Sequence, residues 1–240
     1  MFYLAFLFGL VFGSFLNVVI YRLKSGDSIR FGRSFCPRCK TILKWHDLVP
    51  LLSFFLLKGQ CRHCRKKISW QYPAVEILSG LIWVFVWNLG FGIWNFIYYI
   101  FILSAFLVIA IYDFKWKIIP DKIIYPAIAV VLIFNLFEIL KYQNIAIFLW
   151  PLSVAIIAFL FFFSIFYFSK GRAMGLGDAK LAFLIGLFLE PELAFFAFTL
   201  SFILGAVYAI ILLILGKKTL KDKIALAPFL SASTAIIFFL

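Results

Sequence analysis

Met174-Gly175-Leu176-Gly177-Asp178-Ala179-Lys180 is a short polar break between two long apolar runs, and it carries a carboxylate at the edge of the second run. Reading outward from it decides the fold. The apolar run before it covers about 145–168, and the one after it covers 179–190. Each further step along the chain meets another such run, at about 2–21, 73–89, 94–112, 122–141, 193–215 and 225–240. Runs of roughly 20 apolar residues have the length a helix needs to cross a bilayer core. The chain is 65% hydrophobic and only 14% charged over its 240 residues, which excludes an ordinary soluble domain. The expected fold is an all-α polytopic membrane protein of about eight transmembrane helices. Run 179–190 is short, as suits a helix that begins inside the protein.

The net charge of +13 invites a nucleic-acid reading, but in a membrane protein basic residues mark cytoplasmic loops. No nucleic-acid partner is expected. Of the 23 basic residues, 12 lie in segment 22–71. The others fall after run 94–112 (Lys115, Lys117, Lys122), around the break (Lys170, Arg172, Lys180) and in 216–224 (Lys217, Lys218, Lys221, Lys223), leaving Lys141 alone on the other side. Alternate connections are therefore basic. This places the break and segment 22–71 on the cytoplasmic face of the lipid bilayer and both termini outside. Three parts follow: a first helix over 1–21, a polar subdomain over 22–72, and a membrane domain over 73–240. Residues 1–21 lack a basic start and a small-residue cleavage site, so they read as a retained helix. Gly9, Gly13 and Ser14 share one face of it, a pattern that permits close helix packing in lipid. Asn17, a polar residue inside that helix, is expected to hydrogen-bond to a neighbour. Leu48 to Leu57 is too short to span and reads as a buried or interfacial element.

The chain has only ten acidic residues, so Asp178 needs a reason. One is a helix cap. The other needs a second carboxylate, and Asp113 supplies it at the cytoplasmic end of run 94–112. Two carboxylates sharing a partly dry site cannot both ionise easily, so one keeps a proton while the other is charged. Such a pair can activate water and protonate a leaving amine. Gly175 and Gly177 would let the backbone bend at membrane depth and let a substrate strand approach. The alternative for Asp113 is an interfacial charge paired with Lys115 or Lys117. Asp121, after Pro120, reads as a helix cap. A proton- or ion-coupled transporter would also use intramembrane carboxylates, but both lie near one surface and no inverted repeat is visible.

All four cysteines lie in the polar segment, as Cys36-Pro37-Arg38-Cys39 and Cys61-Arg62-His63-Cys64. Two C-x2-C turns can close a tetrahedral four-thiolate site for zinc or a similar metal with no open position, so the metal should be structural; the alternative is a redox-active pair. His63 and His46 read as surface groups. No repeat of fixed period is seen.

Taken in order, Phe12-Gly13-Ser14-Phe15-Leu16-Asn17 through Leu23, the two cysteine pairs, Tyr72-Pro73-Ala74-Val75-Glu76, the Asp113 turn ending in Ile119-Pro120-Asp121, and Gly175 to Lys180 resemble the type IV prepilin peptidases. These are bifunctional leader peptidase/N-methyltransferases of the bacterial inner membrane. The resemblance implies cleavage after a glycine of the leader of type IV prepilins, or of type II secretion pseudopilins, with Asp113 and Asp178 as the catalytic pair. It also implies methylation of the new N-terminal amine by S-adenosylmethionine, associated with the cysteine subdomain. Gly59 matches a glycine of that region, although the Lys that usually follows is Gln60 here. Glu76 matches a family segment and is, with Gly59, a candidate for the methyltransferase half.

Overall fold

The computed structural model describes residues 2–28, 32–219, 222 and 224–240. Met1 of the first run and the basic residues Arg30, Lys221 and Lys223 lie outside the described residues. Each of the eight apolar runs forms a helix. In order these are α1 (Phe2–Ser25), α3 (Gln71–Asn88), α4 (Ile93–Trp116), α5 (Asp121–Tyr142), α6 (Ala146–Phe168), α7 (Leu176–Phe188), α8 (Pro191–Ile214) and α9 (Ala227–Phe238), with a short α2 (Leu52–Leu56) between α1 and α3. Five of them, α1, α4, α5, α6 and α8, are long and apolar enough to cross a membrane. The expectation of about eight crossings is thus met in part: α7 and α9 have only 13 and 12 residues, and α3, with 18, opens on the polar Gln71 and carries Glu76.

The chain divides by compactness after Ile100. In the first unit, α3 runs antiparallel along α1. A methyl group on Gly9 would meet the Gly80 Cα at 2.7 Å, and one on Gly13 would meet the Glu76 Cα at 2.7 Å. The small residues therefore do what their spacing implies: without side chains between them, two backbones touch. Asn17 donates to the Tyr72 carbonyl at 3.1 Å and accepts from Gln71. That satisfies a buried amide and ties α1 to the first turn of α3.

In the second unit the short α7 is the centre. Ala179, Leu181, Ala182, Leu184, Ile185 and Leu187 are buried around its circumference. A helix apolar all round belongs inside a bundle, and α5, α6, α8 and α9 pack around it. Its far end is met by Asn135 of α5, which donates to the Leu187 carbonyl at 3.2 Å. One of the carbonyls that every helix terminus leaves without an intrahelical partner is thereby satisfied. Against α6 the approach is at backbone distance, since a Cβ on Gly186 would sit 2.6 Å from the Ala155 Cα. Neither backbone can yield cheaply. Gly186→Ala is expected to destabilise the protein by roughly 2 kcal/mol, as overpacking does, seen as a lower midpoint of thermal unfolding in detergent.

Candidate functional sites: a carboxylate pair and a four-cysteine cluster

Asp113 lies in the last turn of α4 and is buried, at 5% exposure. Its Oδ2 accepts the backbone N–H of Ala227, the first residue of α9, at 3.3 Å. That amide is one of the free donors of a helix start, so the end of α4 and the start of α9 are joined through the carboxylate. Among the described residues no ion pair joins Asp113 to Lys115 or Lys117. The ammonium of Lys115 instead stands 5.5 Å from the centre of the Trp116 ring. Lys117 acts on Asp113 through its charge and not through an ion-pair contact. Lys117 closes the helix with its amide on the Asp113 carbonyl at 2.7 Å.

Asp178 stands in the first turn of α7, half-buried. Its Oδ2 accepts the Gly175 N–H at 3.2 Å, so it also steadies the helix start. It does so from the third helical position and not as the capping residue itself, which is Gly175. The other oxygen is not used by this contact. The Asp113 and Asp178 carboxyl groups are close enough for the charge of one to act on the other.

The glycines before Asp178 differ from expectation. Gly175 has φ −85° and Gly177 is helical, so neither needs glycine's conformational freedom. What Gly177 supplies is room. A Cβ there would lie 2.9 Å from the Cβ of Ile119, in the connection between α4 and α5. At Gly177 the chain's own Ile119 makes a close approach. Gly177→Ala is expected to push the Ile119 turn away from α7 and to lower turnover about tenfold, with the fold kept, as small misplacements at a reacting centre do. Single-turnover kinetics beside a thermal melt would separate these effects.

Asp121 is not a capping residue either. Pro120 takes the capping position in an extended conformation and makes no side-chain cap bond. Asp121 follows in the first turn and pairs with Lys180 of α7, Nζ to Oδ1 at 2.6 Å. Lys180 also stands 4.8 Å from the Tyr125 ring centre. Ala227, Ile119 and the Asp121–Lys180 pair are contributions that sequence reasoning missed. A cavity of about 220 Å³ opens between Phe114, next to Asp113, and Ala225 and Phe229, which flank Ala227. Lys117 and Lys218 also line it.

In the first unit the four cysteines come together, with their sulfur atoms all within 4.8 Å of one another. Each pair sits on the same backbone device. The Cys36 amide bonds to the Thr41 carbonyl and the Lys40 amide to the Cys36 carbonyl. The Cys61 amide bonds to the Lys66 carbonyl and the Arg65 amide to the Cys61 carbonyl. Phe35 bridges Ile42 as Gln60 bridges Lys67. Lys40 and Arg65, each four residues after a cysteine, both adopt the left-handed conformation. The two turns are thus a structural duplicate that side-chain identity hides. Tetrahedral zinc with sulfur at 2.3 Å places sulfurs about 3.8 Å apart, and Cys36 Sγ and Cys64 Sγ are 4.0 Å apart. The hydrogen bond from the Thr41 hydroxyl holds the Cys39 thiol down to about 6. Cys64, although the Lys66 amide donates to it, is pushed up to about 11 by loss of water and by the other three cysteines. Four thiols so close cannot all ionise without a cation among them, so the donor set fits a metal. Cys36, Cys39, Cys61 and Cys64 would hold it. His63 is exposed, and His46 lies beside Asp47, which is chiefly engaged by Arg62 at 2.9 Å.

Gly59 and Glu76, the two candidates for the methyltransferase half, bracket α2. Gly59 follows it at φ +66°, where a Cβ would also press on the Phe54 ring at 3.2 Å. Glu76 is buried and accepts the Leu51 N–H, just before α2, at 2.9 Å.

Comparison with known proteins divides the chain where its packing does. Residues 7–89 match a family described as the bacterial peptidase A24 N-terminal domain, and residues 100–210 match the type IV leader peptidase family. A prepilin leader peptidase/N-methyltransferase of Klebsiella pneumoniae is 34% identical over 77% of this chain and 83% of its own. Proteins of the same name from Vibrio cholerae and Bacillus subtilis are 32% and 30% identical, over 96% and 97% of this chain and 93% and 92% of theirs. No solved structure matches the chain. Relatives alike from end to end, across both the cysteine half and the aspartate half, show that the chain belongs to the type IV leader peptidase family.

Proposed function

We propose that the chain is a bacterial inner-membrane aspartyl endopeptidase that removes the N-terminal leader of type IV prepilins or pseudopilins, cutting after a glycine at the cytoplasmic face, and then N-methylates the new N-terminal residue. The observation that carries this reading is the packing of Ile119, just after the helix end that bears Asp113, against Gly177, the neighbour of Asp178. In the mechanism, the charged carboxylate takes a proton from water as the water oxygen bonds to the scissile carbonyl carbon. The protonated carboxyl gives its proton to the leaving amine as the C–N bond breaks. Each carboxylate accepts one backbone N–H, from Ala227 at Asp113 and from Gly175 at Asp178, and these contacts orient both groups for the two roles.

The alternation of basic connections supports eight crossings, with residues 22–72, Asp113 and Asp178 on the cytoplasmic side and both termini outside. The cysteine cluster is read as a structural zinc site. S-adenosylmethionine, when bound, supplies the methyl group, and the residues around α2 are the candidates for holding it, with Gly59 and Glu76 fixing that segment. The test uses the purified protein in detergent, a prepilin with its leader, and S-adenosylmethionine. Mass spectrometry of the product should show cleavage after the leader's glycine and a gain of one methyl group at the new N-terminus. An uncleaved prepilin overturns the peptidase reading. A cleaved, unmethylated product confines the chain, with Gln60 after Gly59, to the peptidase step.

A further inference from the structure

Helix α2 is five residues long and has two unlike sides. Phe54 is buried against Trp70, with ring centres 4.9 Å apart and planes tilted by 59°. Leu52, Phe55 and Leu56, on the other side, are 56%, 59% and 73% exposed. Three large apolar side chains on a single face call for a cover. What covers them follows from where α2 is held.

The Leu51 amide is bound by Glu76, and Glu76 is level with Gly13 on α1, where the two helices touch. Gly13 lies nine residues before Arg22, the first basic residue of the cytoplasmic segment. At 1.5 Å per residue that is about 13 Å along the helix. The Glu76 side chain leans back toward the start of α3, which shortens this by a few ångströms, but the Leu51 amide still lies well inside the level of Arg22. The segment leading into α2 therefore dips below the surface that the basic residues mark. Leu51 has a left-handed backbone (φ 58°), and its amide would be costly to leave unpaired at such depth. Glu76 removes that cost. Charge agrees: segment 22–71 has 12 basic residues and only two acidic ones, Asp27 and Asp47. Lys58 follows α2 after Leu57, and the exposed Trp70 directly precedes α3. Apolar side chains backed by lysine and arginine, with tryptophan beside them, are the composition of an element lying in an anionic bilayer interface.

We propose that α2 is a re-entrant, lipid-facing element: Leu52, Phe55 and Leu56 enter the boundary between headgroups and acyl chains, and Glu76 is the positioning residue that holds them at that depth. The cysteine subdomain is thereby seated on the membrane surface and not merely tethered to it by α1 and α3. This goes beyond the peptidase reading and uses no turnover, so each stands or falls alone.

The test uses the full chain in nanodiscs of phosphatidylethanolamine and phosphatidylglycerol. A benzophenone amino acid replaces Leu56 in one sample and Arg65, on the second cysteine turn, in another. Illumination should give lipid adducts at position 56, several-fold above position 65. Equal lipid labelling at both positions, cross-linked dimers at 56, or the absence of lipid adducts at 56 overturns the proposal. Glu76→Gln keeps an acceptor for the Leu51 amide and should keep the adducts. Glu76→Ala leaves that amide unpaired and should raise amide exchange across Leu51–Leu57 by about tenfold or more, with loss of the adducts. Unchanged adducts in Glu76→Ala would remove the positioning role.

Discussion

Asp113→Asn and Asp178→Asn are each expected to lower prepilin cleavage about 10,000-fold, with substrate binding and thermal stability close to wild type. Losses of that order follow removal of one member of a catalytic set that acts as a unit. Asparagine keeps the shape and an accepting oxygen, so the Ala227 and Gly175 amides retain their partners. Neither variant can carry the proton that the mechanism moves. Combining the two substitutions should cost little more than either alone, because one step fails in both cases. The pH profile of the wild type should be bell-shaped. On the acid side both carboxyls hold protons and no base remains. On the alkaline side both are charged and no acid remains. Asp121→Asn is the control. It breaks the ion pair to Lys180 but leaves the pair of carboxyls intact, and a partly exposed ion pair contributes at most about 1 kcal/mol. Its cleavage rate should stay within a few-fold of wild type. Cleavage that persists in either single variant of the pair, Asp113→Asn or Asp178→Asn, removes the aspartyl mechanism.

Cys36→Ser is expected to abolish metal binding and to unfold the cysteine subdomain. A serine hydroxyl is a poor replacement for a thiolate, and three ligands do not close a structural site. The binding free energy of such a site is on the order of 10 kcal/mol, and it is also folding free energy. The subdomain has little else to hold it. Among the described residues its regular structure consists of a 3-10 turn, the five residues of α2 and two isolated bridges. Metal analysis should fall from one ion per chain to none, and limited proteolysis should cut within 26–70. Methylation should be lost. Cleavage should change far less, because Asp113 and Asp178 both belong to the unit of residues 101–240. Stoichiometric zinc in the serine variant would overturn the assignment.

Much of this fold can be read from side chains. Each apolar run became a helix because no other structure satisfies its backbone in lipid. Gly9 and Gly13 announced a helix contact by their spacing, and the cysteine pairs announced a cluster. What escaped has no side-chain signature. The donor to Asp113 is a backbone amide 114 positions away, on an alanine. The obstacle beside Gly177 is an isoleucine, which composition alone cannot distinguish from the many others. Asp121 looked like a cap because it follows a proline, but a proline in the capping position moves the aspartate into the helix and frees it to pair with Lys180. The duplication of the cysteine turns is written in backbone torsions, with Lys40 in one copy and Arg65 in the other where glycine would have advertised it.

The enclosure of α7 divides the labour of motion. A helix buried on every side, anchored at one end by Asn135 and near the other by the Lys180–Asp121 ion pair, behaves as an anvil. Its inner amides, from Leu181 to Leu187, should be the last in the molecule to exchange with deuterium. Asp178 cannot travel to meet a substrate without moving four neighbours. Any adjustment that brings the two carboxyls to working distance thus falls on Asp113, at the joint where α4 ends and α9 begins. That joint carries the hydrogen bond from Ala227 to Asp113, and it is there that the enzyme's clock should be sought.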